Sequence, residues 1–88
     1  MNELDRLVTK YLFAGESAAY SRDIKAAWRV MELLKDTYEI YLSAPNEDYP
    51  EWAILLIHYD SKLEYSSTGE TAEEAICLAA LQPFLGTE

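Results

Sequence analysis

The sequence predicts an α+β domain with element order α-α-β-β-β-α, its three-stranded antiparallel sheet covered by helices as an α/β/α sandwich. Three observations predict it. Two early segments repeat apolar residues at helical spacing; three middle runs rich in β-branched and aromatic residues are divided by turn signals; and the closing apolar run opens on a capping box.

Leu4, Leu7, Val8, Tyr11 and Leu12 fall at i, i+3, i+4, i+7 and i+8, one stripe of a first helix, with Asn2 placed to cap it and Gly15 to end it. The second helix lies in YSRDIKAAWRVMELL, Tyr20 to Leu34. There Ser21 is the expected N-cap, and Asp23 suits the positive first turn. Ile24, Ala27, Trp28, Met31 and Leu34 form the expected inward stripe, leaving Arg22, Lys25, Arg29 and Glu32 outside.

TYEIYLS, WAILLIHY and KLEYSS read as strands, with APNEDYP joining the first two and Asp60-Ser61 turning between the others. The middle run, Trp52 to Tyr59, is apolar on both pleat faces and therefore wants cover on both sides. Layers in the order helix, sheet, helix would supply it. In the final TGETAEEAICLAALQPFLG, Thr71 and Glu74 make the T-x-x-E box and Pro83 stops or kinks the helix. From Ala75 to Leu81 that helix is apolar all round, so it must be buried between the sheet and its neighbours or in an oligomer.

A chain of 88 residues has room for one small domain, 1–88, with a thin core. Cys77 is the sole cysteine, so no internal disulfide can form, and the cytosol is the expected location. The start of the chain carries acids where a signal peptide has bases, and no apolar run approaches the roughly 20 residues of a membrane helix. The net charge of −9 is one-sided: residues 1–44 hold 7 acids against 6 bases, whereas residues 45–88 hold 9 acids against Lys62 alone. Phosphate backbones should avoid that second half.

LDRLVTKYL, YSRDIKAAWRVMELL and ETAEEAICLAAL together resemble the phage ABA-sandwich domain family of small phage and prophage proteins. The resemblance implies a phage or prophage origin and an α/β sandwich, and it carries no established activity. The chain departs from the family pattern where FAGESAA leads directly to Tyr20, and where Arg22 stands in place of a threonine.

Tyr20, Arg22, Lys25, Trp28 and Trp52 form the candidate ligand-binding set: the rings could stack on a planar group while Arg22 or Lys25 meets its charge. The simpler reading, and the favoured one, puts Trp28 in the core and Asp23 at a helix start. His58 is the only histidine, so neither an acid/base histidine pair nor a multi-histidine metal site can be assembled, and a satisfied core or interface histidine is expected. Cys77 reads as a buried, inert thiol. Glu47, Asp48 and Glu51 lack calcium-loop spacing, and Glu70, Glu73 and Glu74 suit a helix start. No catalytic residue, metal site or cofactor is expected.

The β-β-β-α end also resembles double-stranded RNA-binding domains, but those meet phosphate with lysines where this chain has Glu70, Glu73 and Glu74, so no direct nucleic-acid binding is expected. Three functional classes remain. A non-enzymatic accessory protein acting by self-association, as a homodimer, and by contact with a host or phage protein comes first. An acidic nucleic-acid mimic that blocks a host DNA-binding or defence enzyme comes second. A sponge for a small nucleotide-like ligand, resting on Tyr20, Trp28, Tyr41, Trp52 and the bases of the second helix, comes third.

Overall fold

The computed structural model describes residues 3–85, so the cap expected at Asn2 lies outside the described residues. Its elements are α1 (Glu3–Leu12), α2 (Ile24–Leu34), β1 (Tyr38–Ser43), β2 (Trp52–His58), β3 (Glu64–Gly69) and α3 (Ala72–Leu85). The strands form one antiparallel sheet in the order β1-β2-β3. The α+β class, the α-α-β-β-β-α order and the antiparallel sheet are those the sequence predicts.

Helix α3 organises the core. Ala72, Ala75, Ile76, Cys77, Ala79, Ala80 and Leu81 are all buried, because α3 packs on β2 and β3 and also receives both α1 and α2. Its start is held by the two box residues: Thr71 Oγ1 accepts from the Glu74 N–H at 3.1 Å, while the Glu74 carboxylate accepts at 2.9 Å from the N–H of Glu70, one residue ahead of the Thr71 N–H that the box predicts. Pro83 does not stop the helix, which runs on to Leu85. The Gln82 side-chain amide donates to the Ser66 carbonyl of β3 and pins the far end of α3 to the sheet.

Distribution of the cover differs from the expected helix, sheet, helix order. Tyr38 and Ile40 of β1, Trp52, Ile54 and Leu56 of β2 and Tyr65 of β3 share one pleat face by register, and all belong to or pack on the core that also holds Val8, Ala27 and Val30. The helices therefore gather on one face. Ala53, Leu55 and Ile57, which point the other way, take no part in that core. The physical reason lies in α3: a helix with no polar side draws α1 and α2 onto itself and leaves neither for the opposite face of the sheet.

Helix α2 is turned from its expected orientation. Ala26, Ala27, Val30 and Leu34 are buried, whereas Ile24 and Trp28 are 48% and 53% exposed. The core reading of Trp28 is thus corrected, and the buried stripe is rotated by about a quarter turn. Both stripes are apolar, so packing decides between them: two alanines let α2 approach the alanine-rich α3 closely, and an indole there would hold the helices apart.

Ser21 is not the N-cap of α2. Asp23 takes that role, in extended conformation with its side chain accepting from the Lys25 N–H at 2.9 Å. Ser21 is committed elsewhere, since both its N–H and its hydroxyl donate to Asp5 Oδ1 at 2.7 Å. Arg22 Nε and Nη2 donate to Asp5 Oδ2 at 3.1 and 2.9 Å. The fully buried Asp5 of α1 thereby clips that helix to the turn before α2. Between them, Gly15 closes α1 at φ +97° with its N–H bonded to the Thr9 carbonyl, a left-handed stop that glycine adopts without strain. Phe13 then stacks on the buried Tyr20, centroids 4.6 Å apart, and Arg29 lies over Phe13 while pairing with Glu16.

Burial opposes the charged form of Asp5, but the hydrogen bonds from Ser21 and Arg22 and the Arg22 charge together prevail and hold its carboxyl below the ordinary value of 3.8. Because the folded value is the lower one, the clip is at full strength above the unfolded value and is lost as pH falls through the folded one. Asp5→Asn is expected to cost about 2–3 kcal/mol at neutral pH, with the exposed half of Arg22 adding little. Urea titrations of wild type and variant should show that difference shrinking as the pH drops below 4, since the wild type alone has this contribution to lose. At Gly69 an added Cβ would meet the Ala75 backbone nitrogen at 2.8 Å and Glu74 Cβ at 3.1 Å. Gly69→Ala should accordingly lower stability by about 1–3 kcal/mol, read as a lower melting temperature.

Candidate functional site

The β1–β2 and β2–β3 registers place Glu39, Tyr41 and Ser43, Ala53, Leu55 and Ile57, and Glu64, Ser66 and Thr68 on the sheet face away from the helices. The central row is apolar and half-buried, while the flanking rows are exposed and polar. An open groove of about 550 Å³ runs over Ala53 and Leu55, with Tyr41 and Ser43 on one side and Ser66 and Thr68 on the other. A hollow of about 270 Å³ adjoins it through Ser43, Ala53 and Thr68 and reaches under Tyr49, Pro50 and Glu51.

The loop over that hollow is held in shape by Asn46. Its side-chain oxygen accepts from the N–H groups of Asp48 and Tyr49, both at 2.9 Å, and its own N–H donates to the Tyr49 carbonyl. Tyr49 stands 73% exposed above the groove end. Across the sheet, the Tyr41 hydroxyl donates to Glu39 at 2.6 Å, and that hydrogen bond to a carboxylate holds the phenol above its ordinary value.

The opposite edge of the hairpin is braced by His58, whose Nδ1 accepts from the N–H groups of Asp60 and Ser61 at 3.2 and 3.1 Å. This histidine is satisfied, as expected, though at a turn and against the edge of Tyr38 instead of within the core. Cys77 is inaccessible, and its thiol is pushed up to about 12, first by burial and then by the nearby charges of Asp5 and Glu73. Among the described residues, no three His, Cys, Asp or Glu side chains gather so as to hold a metal ion, and no helix is long and apolar enough to cross a membrane.

The five residues singled out for ligand binding lie apart in their environments. Tyr20 is fully buried, and its hydroxyl donates to the Glu16 carbonyl, so its ring belongs to the core. Arg22 is spent on Asp5. Lys25 and Trp28 stand exposed on α2, and Trp52 is half-buried on the helix-facing side of β2. None of the five lines the groove or the hollow.

Leu55, Tyr41 and Tyr49, which do line them, carry a signal the sequence holds only in combination. Glu39, Tyr41, Ser43 and Glu64, Ser66, Thr68 share the pleat face of Leu55, and six such polar flanks mark a face whose rims meet water.

A family model described as the phage ABA sandwich domain matches residues 3–81. Among solved structures, a phage protein from Bacillus cereus ATCC 14579, known from a crystal structure, superposes with a TM-score of 0.73 at 22% identity, covering 92% of this chain and 90% of that one. At that identity it is the fold that the two share. No curated protein matches the chain.

With Trp28 exposed and Trp52 half-buried, iodide should quench the emission of Trp28 preferentially. Trp28→Phe is expected to remove most of the quenchable fluorescence, and Trp52→Phe to leave most of it; equal losses in the two variants would contradict this packing of α2.

Proposed function

Since the chain belongs to the phage ABA sandwich domain family, we propose that it is a phage accessory protein that works by binding protein, its own copies included, and not by catalysis. The observation that carries this reading is the uncovered face of the sheet. The row Ala53, Leu55, Ile57 is apolar, lies at the centre of a three-stranded sheet, and has no helix over it among the described residues. A soluble domain keeps such a surface when something else covers it.

Side-chain chemistry supports binding over turnover. The one thiol is sealed on the buried surface of α3, the one histidine is occupied by a turn, and the buried carboxylate is occupied by Ser21 and Arg22. The groove and the adjoining hollow together offer the phenols of Tyr41 and Tyr49, several hydroxyls and the Glu51 carboxylate on an apolar floor, a mixture suited to recognition at a protein interface. The place of action proposed is the host cell cytosol, where an unpaired Cys77 is unexceptional.

The acidic-mimic reading keeps one supporting observation: Glu47, Asp48, Glu51, Asp60, Glu64 and Glu70 are all exposed. Capture of a host DNA-binding protein that is abolished by moderate salt would favour it over an apolar interface.

Size-exclusion chromatography with light scattering tests the leading reading. The mass is expected to rise above 10.1 kDa with concentration, and Leu55→Asp, a charge placed on the uncovered row, is expected to return it to that value with the far-ultraviolet circular dichroism unchanged. A wild-type chain that stays at one protomer up to high micromolar concentration removes self-association.

A further inference from the structure

Two surfaces on opposite sides of this molecule complement one another. On α2, Ile24 and Trp28 stand one helical turn apart, exposed, with Lys25 and Arg29 exposed beside them. Arg22 pairs with Asp5, Arg29 with Glu16 and Lys35 with Glu32, so among the described residues Lys25 is the cation of this stretch that stands outside an ion pair. The three strands and the loop from Ala44 to Glu51 hold Glu39, Glu47, Asp48, Glu51 and Glu64 and not one lysine or arginine. One side is a tryptophan-bearing helix with Lys25 beside the ring; the other is an apolar-floored groove on a sheet face that carries Glu39 and Glu64 on either side of Ile57.

We infer that the groove on the open sheet face receives helix α2 of a second copy of this chain, with Trp28 and Ile24 on the Ala53–Leu55–Ile57 row and Lys25 toward Glu39 and Glu64. This deepens the self-association reading and rests on it. Dimensions agree: the eleven residues of α2 span about 16 Å, and the strands of six or seven residues offer a track of about 20 Å. Width agrees as well, since a helix of about 10 Å diameter covers the two interstrand spacings, together about 10 Å, of a three-stranded sheet.

Charge disfavours the symmetric alternatives. A two-fold pairing of sheet on sheet would bring Glu39 and Glu64 of both copies onto one interface, four carboxylates against the turn residue Lys62 of each copy, and α2 on α2 would set Lys25 against Lys25. Pairing the helix of one copy with the sheet of the next removes both conflicts. Its geometry is head-to-tail, so each added copy presents a fresh groove or a fresh helix, and growth continues unless the ring closes. The second helical layer that each sheet lacks is then supplied by its neighbour.

Two variants and their mixture test this. Trp28→Ala disables the helix side and leaves the groove; Leu55→Asp disables the groove and leaves the helix, with the exposed Glu64→Lys as a second groove variant should Leu55→Asp not fold. Wild type is expected to show a light-scattering mass that grows with concentration and falls at high salt. Each variant alone should run as a monomer, and an equimolar mixture should form a two-chain species that grows no further, because one competent groove meets one competent helix. Trp28→Ala that assembles like the wild type overturns the inference in favour of sheet-to-sheet pairing and leaves the self-association reading standing. Variants that are each monomeric and stay so when mixed overturn it too. A monomeric wild type removes both.

Discussion

A helix with no polar side cannot rest on a sheet alone, and the architecture follows from that constraint. Placed on β2 and β3, α3 would still show water the side of Cys77 and Leu81. Helices α1 and α2 close around it, and Val8, Ala27 and Val30 join Ile76 and Leu56 in a single cluster. With three helices among the described residues, this arrangement has a geometric cost. Surrounding most of one helix, with Leu78 still 38% exposed, uses up the material that would have roofed the far side of the sheet, and the apolar row of β2 that faces that way is left at the surface.

The clip at Asp5 makes this gathering specific. A carboxylate taken fully out of water is tolerated only where donors surround it, and Ser21 and Arg22 supply four. By occupying Ser21 it passes the capping role to Asp23, which sets where α2 starts. Where α2 starts and how closely its alanines approach α3 then determine that Trp28 emerges on the outside. A single acid in α1 is thus linked, through two residues of a turn, to the character of a surface on another helix.

Much of the fold was legible because its signals are local. Gly15 ends α1 with a left-handed residue, Thr71 and Glu74 open α3, and turn residues separate the strands; each acts within a few positions of its own. What was not legible depends on distant partners. Ser21 and Asp23 cap equally well in isolation, and only Asp5, far back along the chain, breaks the tie. Ile24 with Trp28 and Ala26 with Val30 make equally apolar stripes, and only the alanines of α3 choose between them. The aromatic set of Tyr20, Trp28 and Trp52 looked like one site because the residues are similar in kind, whereas folding buries the first, exposes the second and sets the third against the inner face of the sheet. The doubly apolar β2 predicts helical cover on both faces, whereas the helices of the described residues cover one, because sequence periodicity does not say how many helices α3 draws to itself.

The position of α3 in the chain has a consequence for biosynthesis. The element around which everything else is assembled is translated after the five that depend on it. While the nascent chain ends anywhere before Thr71, neither the inner face of the sheet nor the apolar stripes of α1 and α2 have their common partner. Burial must therefore arrive late and all at once, and until it does the growing polypeptide displays the kind of sticky, incompletely paired surface that chaperones at the ribosome recognise.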